Sequence, residues 1–147
     1  DEKLEVLIAR NAWQKELIWN RFSMDQLGMS ISQPDKVRRS SQTISVGNTG
    51  NWSTKNYLPM GCLKNKETDS ILFWQIEQNG SWYWEISDQD GHMYLQLSGP
   101  TEHQSHWWKN LKPGDTFASV PVSVGMWRCG RGSRRTYKIS SCYQKKE

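Results

Sequence analysis

The chain has 147 residues, enough for one domain with a single hydrophobic core and no disulfide or metal cross-links. Apolar residues make up 35% of it and nine residues are tryptophan, which excludes a disordered chain and favours an aromatic-rich β structure. No apolar run approaches the roughly 18 residues that cross a bilayer, and no leader precedes Leu4, so we expect no membrane partner and favour a cytoplasmic location.

The net charge of +4 is unevenly distributed along the chain. Residues 126–147 hold seven of the 19 basic residues and one of the 15 acidic residues, a net +6; residues 1–125 keep 12 against 14, or −2. A basic tail of this kind suits nucleic acid. The tail has no periodicity and no folded context, however, so we expect no nucleic-acid partner.

The first elements in chain order are strands. Branched and aromatic residues predict strands over 4–9 and 13–22, with a turn at Asn11. Ser23 then offers a helix cap and Gly28 a stop, which predicts one or two helical turns between them. The polar stretch 32–42 reads as a loop.

The centre of the chain carries a hairpin signal. Asn79-Gly80 separates two strand-like runs and suits a type I′ turn, which needs two positive φ values. Such a turn fixes the register, which opposes Glu77 to Trp82 and Trp74 to Glu85 along the pair.

Further strands are predicted over 92–99, 104–111 and 115–124, the last after a Lys112–Asp115 turn. Val120, Val122 and Val124 share one face of that last strand. Short strands at this spacing predict an all-β fold: an antiparallel, supersandwich-like β-sandwich with at most one short helix.

Residues capable of catalysis do not assemble in this sheet. The predicted register sends Glu77 and Glu85 to opposite faces, which excludes the carboxylate pair that glycoside hydrolysis needs. His103 and His106, three apart on a strand, also point apart. No GxSxG or phosphate-binding loop occurs, so we predict no catalytic residue and no cofactor.

The cysteines and tryptophans have structural interpretations. Cys129 and Cys142 lack companion ligands, so we predict no metal, and Cys62 reads as a small buried apolar residue. Trp74, Trp82, Trp84, Trp107 and Trp108 suit either a sandwich core, which we favour, or a platform that stacks on sugar rings.

Three stretches in order carry a family resemblance: "TGNWSTKNYLPMG", "LFWQIEQNGSWYWEISD" and "YLQLSGPTEHQSHWWKNLKPGDTFASVPVSVG". They resemble the N-terminal domain of family 36 glycoside hydrolases, the α-galactosidases of the raffinose and melibiose type. The likeness is close over residues 40–125 and looser over 4–39. It implies a twisted antiparallel sandwich, residues 1–125, that precedes a catalytic (β/α)8 barrel.

The resemblance implies a retaining hydrolase of terminal α-galactosyl residues whose two catalytic aspartates belong to the barrel. None of these residues maps onto this chain, so we expect the chain alone to be inactive. The sandwich packs on the barrel, supports oligomer formation and sends loops to the rim of the galactose pocket. Trp52 and Lys55, in "NTGNWSTKNYLPMG", are the candidate substrate-binding residues; the alternative is that Trp52 and Tyr57 anchor a strand end.

The resemblance stops at Gly125. Family members continue with a helix similar to "LTKYRRAIRRK", and residues 136–146, "TYKISSCYQKK", can be re-read one base downstream as "LTKYRAVIRRK". We therefore interpret 126–147 as an out-of-frame tail.

The alternative function of the whole chain is that of a stand-alone carbohydrate-binding module. Without the barrel, the apolar faces of the sandwich that should contact it would be exposed, so we expect the chain to self-associate.

Overall fold

A computed structural model of the chain describes residues 3–29, 42–89, 92–128 and, for its backbone, 135–137. The strands are β1 (Leu4–Ala12), β2 (Lys15–Ser23), β3 (Thr43–Asn48), β4 (Tyr57–Asn65), β5 (Ser70–Ile76), β6 (Trp82–Gln89), β7 (His92–Ser98), β8 (Val122–Arg128) and β9 (Arg135–Tyr137). One short helix, α1 (Glu102–Ser105), lies between β7 and β8. Within these ranges no helix has the length and hydropathy of a membrane span.

The strands form two antiparallel sheets that pack face to face. Sheet A has six strands in the order β2-β1-β4-β5-β8-β9, and sheet B has three in the order β3-β6-β7. Trp74 of β5 meets Trp84 of β6 edge to face between the sheets, with ring centroids 5.3 Å apart. This confirms the predicted all-β sandwich with one short helix.

A single apolar core lies between the two sheets. Trp74, Trp82 and Trp84 are almost completely buried, so their use as core residues rather than as a sugar platform is confirmed for these three. The other buried members are Val6, Ile8, Met24, Met29, Val46, Ile76 and Ile86. Burying a large aromatic side chain contributes roughly 1.5–3 kcal/mol, so the three tryptophans hold the sheets together.

The N-terminal hairpin turns two residues later than predicted. Asn11 lies inside β1, and the turn is formed by Trp13 and Gln14, the latter with φ 61°. The backbone N–H of Asn11 donates to the carbonyl of Asn56 at 3.0 Å, which keeps Asn11 in the sheet. The predicted turn at Asn11 is therefore wrong, because pairing with the neighbouring strand decided where β1 ends.

The segment after β2 is a single capped turn. The Ser23 hydroxyl accepts from the Gln26 backbone N–H at 3.2 Å, and the Gln26 side-chain carbonyl accepts from the Ser23 N–H at 2.8 Å. Gly28 follows with φ +74°. The cap at Ser23 and the stop at Gly28 are confirmed.

The Asn79-Gly80 hairpin does not form. β5 pairs with β4 and β8, whereas β6 pairs with β3 and β7, so the chain crosses from sheet A to sheet B between them. Glu77 continues the sheet A pairing by donating its N–H to the carbonyl of Pro121 at 2.9 Å. The predicted register, including Glu77 against Trp82 and Trp74 against Glu85, is wrong because both edges of each strand are taken by other partners.

The stretch between β7 and β8 is mostly irregular. A strand over 104–111 is wrong, because α1 and a left-handed His106 (φ 52°) occupy its start. The strand predicted over 115–124 begins only at Val122, after Pro121, while the turn at Lys112–Asp115 is confirmed by an N–H to carbonyl hydrogen bond of 2.9 Å. Proline lacks the N–H that a ladder requires, which delays the strand.

The last described strands extend beyond Gly125. In β8, Gly125 lies opposite Phe73 of β5, and the pairing continues to Arg128 opposite Ser70. β9 then pairs with β8. The rest of the basic tail, 129–134 and 138–147, lies outside the described residues, as does most of the predicted loop over 32–42. The out-of-frame origin of the tail stays a prediction.

Candidate functional site

An open apolar cleft lies between β7 of sheet B and β8 of sheet A, with a volume of about 620 Å³. Leu95 and Leu97 line it from β7, and Val122 and Val124 line it from β8. We name this space the inter-sheet cleft. All four side chains also pack against the buried core, so the cleft is a continuation of the core that is open to solvent.

The connection between β7 and β8 forms the mouth of the inter-sheet cleft. Trp107 and Phe117 line this mouth and contact each other, with ring centroids 5.7 Å apart. The Lys109 ammonium lies 5.5 Å from the Phe117 ring centroid. These two aromatic residues are 39% and 43% exposed, so the mouth presents apolar surface to solvent.

Local hydrogen bonds give the mouth a defined backbone. The Thr101 hydroxyl caps α1 by accepting from the Gln104 N–H at 3.1 Å, and the Ser105 hydroxyl donates back to the Thr101 carbonyl at 2.9 Å. Further along, the Asp115 carboxylate accepts from the Lys112 N–H at 3.0 Å. The aromatic residues therefore project from an ordered segment.

Trp52 and Lys55, the candidate substrate-binding residues, lie on a different loop, residues 49–56. Trp52 is 61% exposed and Lys55 is exposed, and neither lines the inter-sheet cleft. The loop is held at its middle: the Trp82 indole N–H donates to the Ser53 carbonyl at 2.6 Å, and the Asn11 side-chain amide donates to the Thr54 carbonyl at 2.9 Å. Both residues are accessible on a fixed loop.

The two carboxylates considered for catalysis belong to different parts of the sandwich. Glu77 follows β5 and accepts a hydrogen bond from the Ser123 hydroxyl. Glu85 lies in β6 of sheet B, where the hydroxyls of Tyr83 and Tyr94 donate to it. The register that separated the two carboxylates in the sequence prediction belongs to a hairpin that does not form. In the structure they form no catalytic pair because they belong to different parts of the sandwich.

The histidine pair has helical rather than strand geometry. His103 belongs to α1 and His106 caps it, so the strand geometry predicted for them is wrong. Among the described residues, no group of three or more histidine, cysteine or acidic side chains is placed to hold a metal ion.

Cys62, in β4, is a partly buried free thiol. Burial raises its pKa from 9.0 to about 11, so at neutral pH it stays protonated and is a poor nucleophile. Cys129 and Cys142 lie outside the described residues.

The chain was compared with protein-family models, with curated proteins and with solved structures, and none of the three comparisons found a match.

Sequence reasoning missed the inter-sheet cleft, because it treated residues 104–124 as two strands. One signal was available: Thr101 and Gln104 have the spacing of a helix-capping box. The capping-box spacing predicts a helix that begins after Thr101, which is where α1 lies, and it leaves Trp107 in the irregular segment that follows.

Proposed function

We propose that this chain is the N-terminal β-sandwich of a family 36 glycoside hydrolase, an α-galactosidase, and that it serves as a docking domain without a catalytic group of its own. The inter-sheet cleft carries the proposal. Its aliphatic walls continue the core, and the aromatic mouth leaves further apolar surface exposed. A core that opens to solvent in this way favours a domain that other polypeptide covers.

In this proposal the inter-sheet cleft is covered by the rest of the parent enzyme, including the catalytic barrel. The antiparallel sandwich and the three sequence stretches that resemble the family support it. The two carboxylates considered for catalysis also support it, because a retaining glycosidase needs two carboxyl groups about 5 to 5.5 Å apart, whereas Glu77 follows a strand of sheet A and Glu85 lies in sheet B.

The loop over residues 49–56 has a proposed role at the substrate. We assign Trp52 to shield one face of a galactosyl ring at the rim of the barrel pocket, and Lys55 to donate a hydrogen bond there. The exposure of both side chains on a loop held by Trp82 and Asn11 supports this assignment. In the intact enzyme, Trp52→Ala should raise KM several-fold; an unchanged KM and kcat would remove Trp52 from the site.

The coding sequence beyond Gly125 tests the proposal most directly. Read one base downstream, it should continue into a barrel with two aspartates at strand ends. The protein made from that frame should hydrolyse a nitrophenyl α-galactoside, whereas the present chain should not. A shifted frame without barrel sequence, or activity from the present chain, would reject the proposal.

A second candidate is a stand-alone carbohydrate-binding module. The observation that favours it is the exposure of Trp108, at 65%, beside Trp107 at the mouth of the inter-sheet cleft. Binding of methyl α-galactoside by the present chain, lost in Trp108→Ala, would support this candidate over a docking domain.

A further inference from the structure

The outer face of sheet B carries a polar cluster built around Glu85. Trp84 and Ile86, its neighbours in β6, point into the core, so Glu85 points to the other side. Gln96 of β7 and Ser45 of β3 lie directly opposite Glu85 on either side. The cluster therefore occupies the middle of a three-stranded sheet, on the face turned away from the inter-sheet cleft.

Two tyrosine hydroxyls hold the Glu85 carboxylate. Tyr94 donates to Oε1 at 2.8 Å and Tyr83 donates to Oε2. Burial, together with the hydrogen bond to Glu85, raises the pKa of Tyr83, so its hydroxyl keeps its proton at neutral pH. Both phenols are thus donors that fix the carboxylate in one orientation.

This arrangement leaves a matched pair of acceptors. A carboxylate has roughly four lone-pair sites, two on each oxygen. One site on each Glu85 oxygen is used by a phenol, so each oxygen keeps an acceptor for an incoming donor. Two parallel acceptors of this kind are the partner of the guanidinium fork, which presents two parallel N–H groups.

The charge of Glu85 is not compensated on its own sheet. β3, β6 and β7 contain no lysine or arginine. On sheet A, by contrast, Glu5 pairs with Lys66 at 3.0 Å. Among the described residues, no ion pair includes Glu85.

We infer that the outer face of sheet B is a docking surface for an arginine side chain of a partner protein, received by Glu85 between Tyr83 and Tyr94. The guanidinium supplies the two donors and a positive charge that β3, β6 and β7 lack, and the phenol rings add cation–π attraction. A sugar diol could supply two donors but would leave the charge uncompensated. This inference goes beyond the docking role of the inter-sheet cleft and does not depend on it.

The experiment titrates the full 147-residue chain with N-acetyl-arginine N-methylamide and follows the tyrosine ring signals by NMR. For a partly exposed pair we expect saturable shifts of Tyr83 and Tyr94, with a dissociation constant on the order of 10 mM that rises with salt. The matching citrulline derivative, which has the same shape and no charge, should cause no saturable shift.

Two variants make the test specific. Glu85→Gln keeps the size of the side chain and removes its charge, and should weaken binding at least tenfold; Tyr94→Phe should weaken it several-fold. Glu77→Gln, a matched change on the other sheet, should bind like the unmodified chain. Equal binding of the citrulline derivative, equal binding by Glu85→Gln, or no shift at ten times the expected dissociation constant would overturn the inference. Saturation by methyl α-galactoside in place of the arginine derivative would overturn it too.

Discussion

Two neighbouring regions of the space between the sheets differ in how completely they are filled. In the filled region Trp74 and Trp84 are fully buried and in contact, with 5.3 Å between ring centroids. On the adjacent strands, Val124 opposite Trp74 and Leu97 opposite Trp84 are only partly buried and border about 620 Å³ of open space. The same two sheets thus supply stability in one region and a surface for another molecule in the other.

The largest expected effect is in the filled region. Trp84→Ala removes a fully buried ring and leaves a cavity between the sheets, so the free energy of unfolding should fall by about 3–5 kcal/mol. Urea unfolding followed by circular dichroism measures it. The matched control is Trp108→Ala, 65% exposed, which should change stability by less than about 0.5 kcal/mol. Equal losses of unfolding free energy in Trp84→Ala and Trp108→Ala would contradict the assignment of stability to the filled region.

A matched pair of glycines sharpens the contrast. A Cβ at Gly61 would overlap the buried Trp74 ring, and a Cβ at Gly99 would overlap Val120 beside the inter-sheet cleft. Neither glycine has a positive φ, so the backbone tolerates alanine. Gly61→Ala should cost about 1–3 kcal/mol, since the core cannot yield, and Gly99→Ala less than about 1 kcal/mol, since Val120 can move into open space. Thermal unfolding of both variants decides it; a greater loss at Gly99 would show that the cleft is closed in solution.

Binding of an apolar probe tests the open region, the inter-sheet cleft. An apolar dye such as anilinonaphthalene sulfonate should bind the inter-sheet cleft, and Leu97→Gln should weaken that binding by about tenfold, which corresponds to about 1.4 kcal/mol. Fluorescence titration measures it. Leu111→Gln is the control, because Leu111 is exposed and does not line the cleft. Unaltered dye binding by Leu97→Gln would place the dye elsewhere.

The smallest effect concerns alkaline pH. The pKa of Cys62 rises from 9.0 to about 11 on folding, so its contribution to stability is complete below pH 9 and is lost as pH rises through 11. The thiol is only partly buried, so we expect less than about 1 kcal/mol. Urea unfolding between pH 8 and 11 should show a shallower decline for Cys62→Ala than for the unmodified chain. The decline that remains in Cys62→Ala includes the contribution of Tyr83, whose raised pKa also lowers stability as pH rises. If the free energy of unfolding fell equally steeply with pH in Cys62→Ala and in the unmodified chain, the assignment to Cys62 would be contradicted.

Local sequence rules succeeded where the partners are close in sequence. The Ser23 cap, the Lys112–Asp115 turn and the shared face of Val122 and Val124 follow from short-range hydrogen bonds and strand alternation, and Val120, which precedes β8, packs against the same core. The Asn79-Gly80 hairpin failed because its turn signal is local, whereas the pairing of β5 with β8 and of β6 with β3 is not. The inter-sheet cleft depends on that distant pairing, so no pattern along the chain predicted it. The tyrosine pair on Glu85 is local by contrast, because Tyr83 lies in the same strand and Tyr94 in the strand that follows.

Alternating apolar and polar residues by themselves determined that this protein is an antiparallel β-sandwich with a tryptophan core, because each strand must bury one face. The tertiary structure alone decided which strands share a sheet, and therefore that Leu97 and Val124 face each other across open space. The physical reason is that a strand has two hydrogen-bonding edges, and the choice between local and distant partners is made by the packing of the whole core.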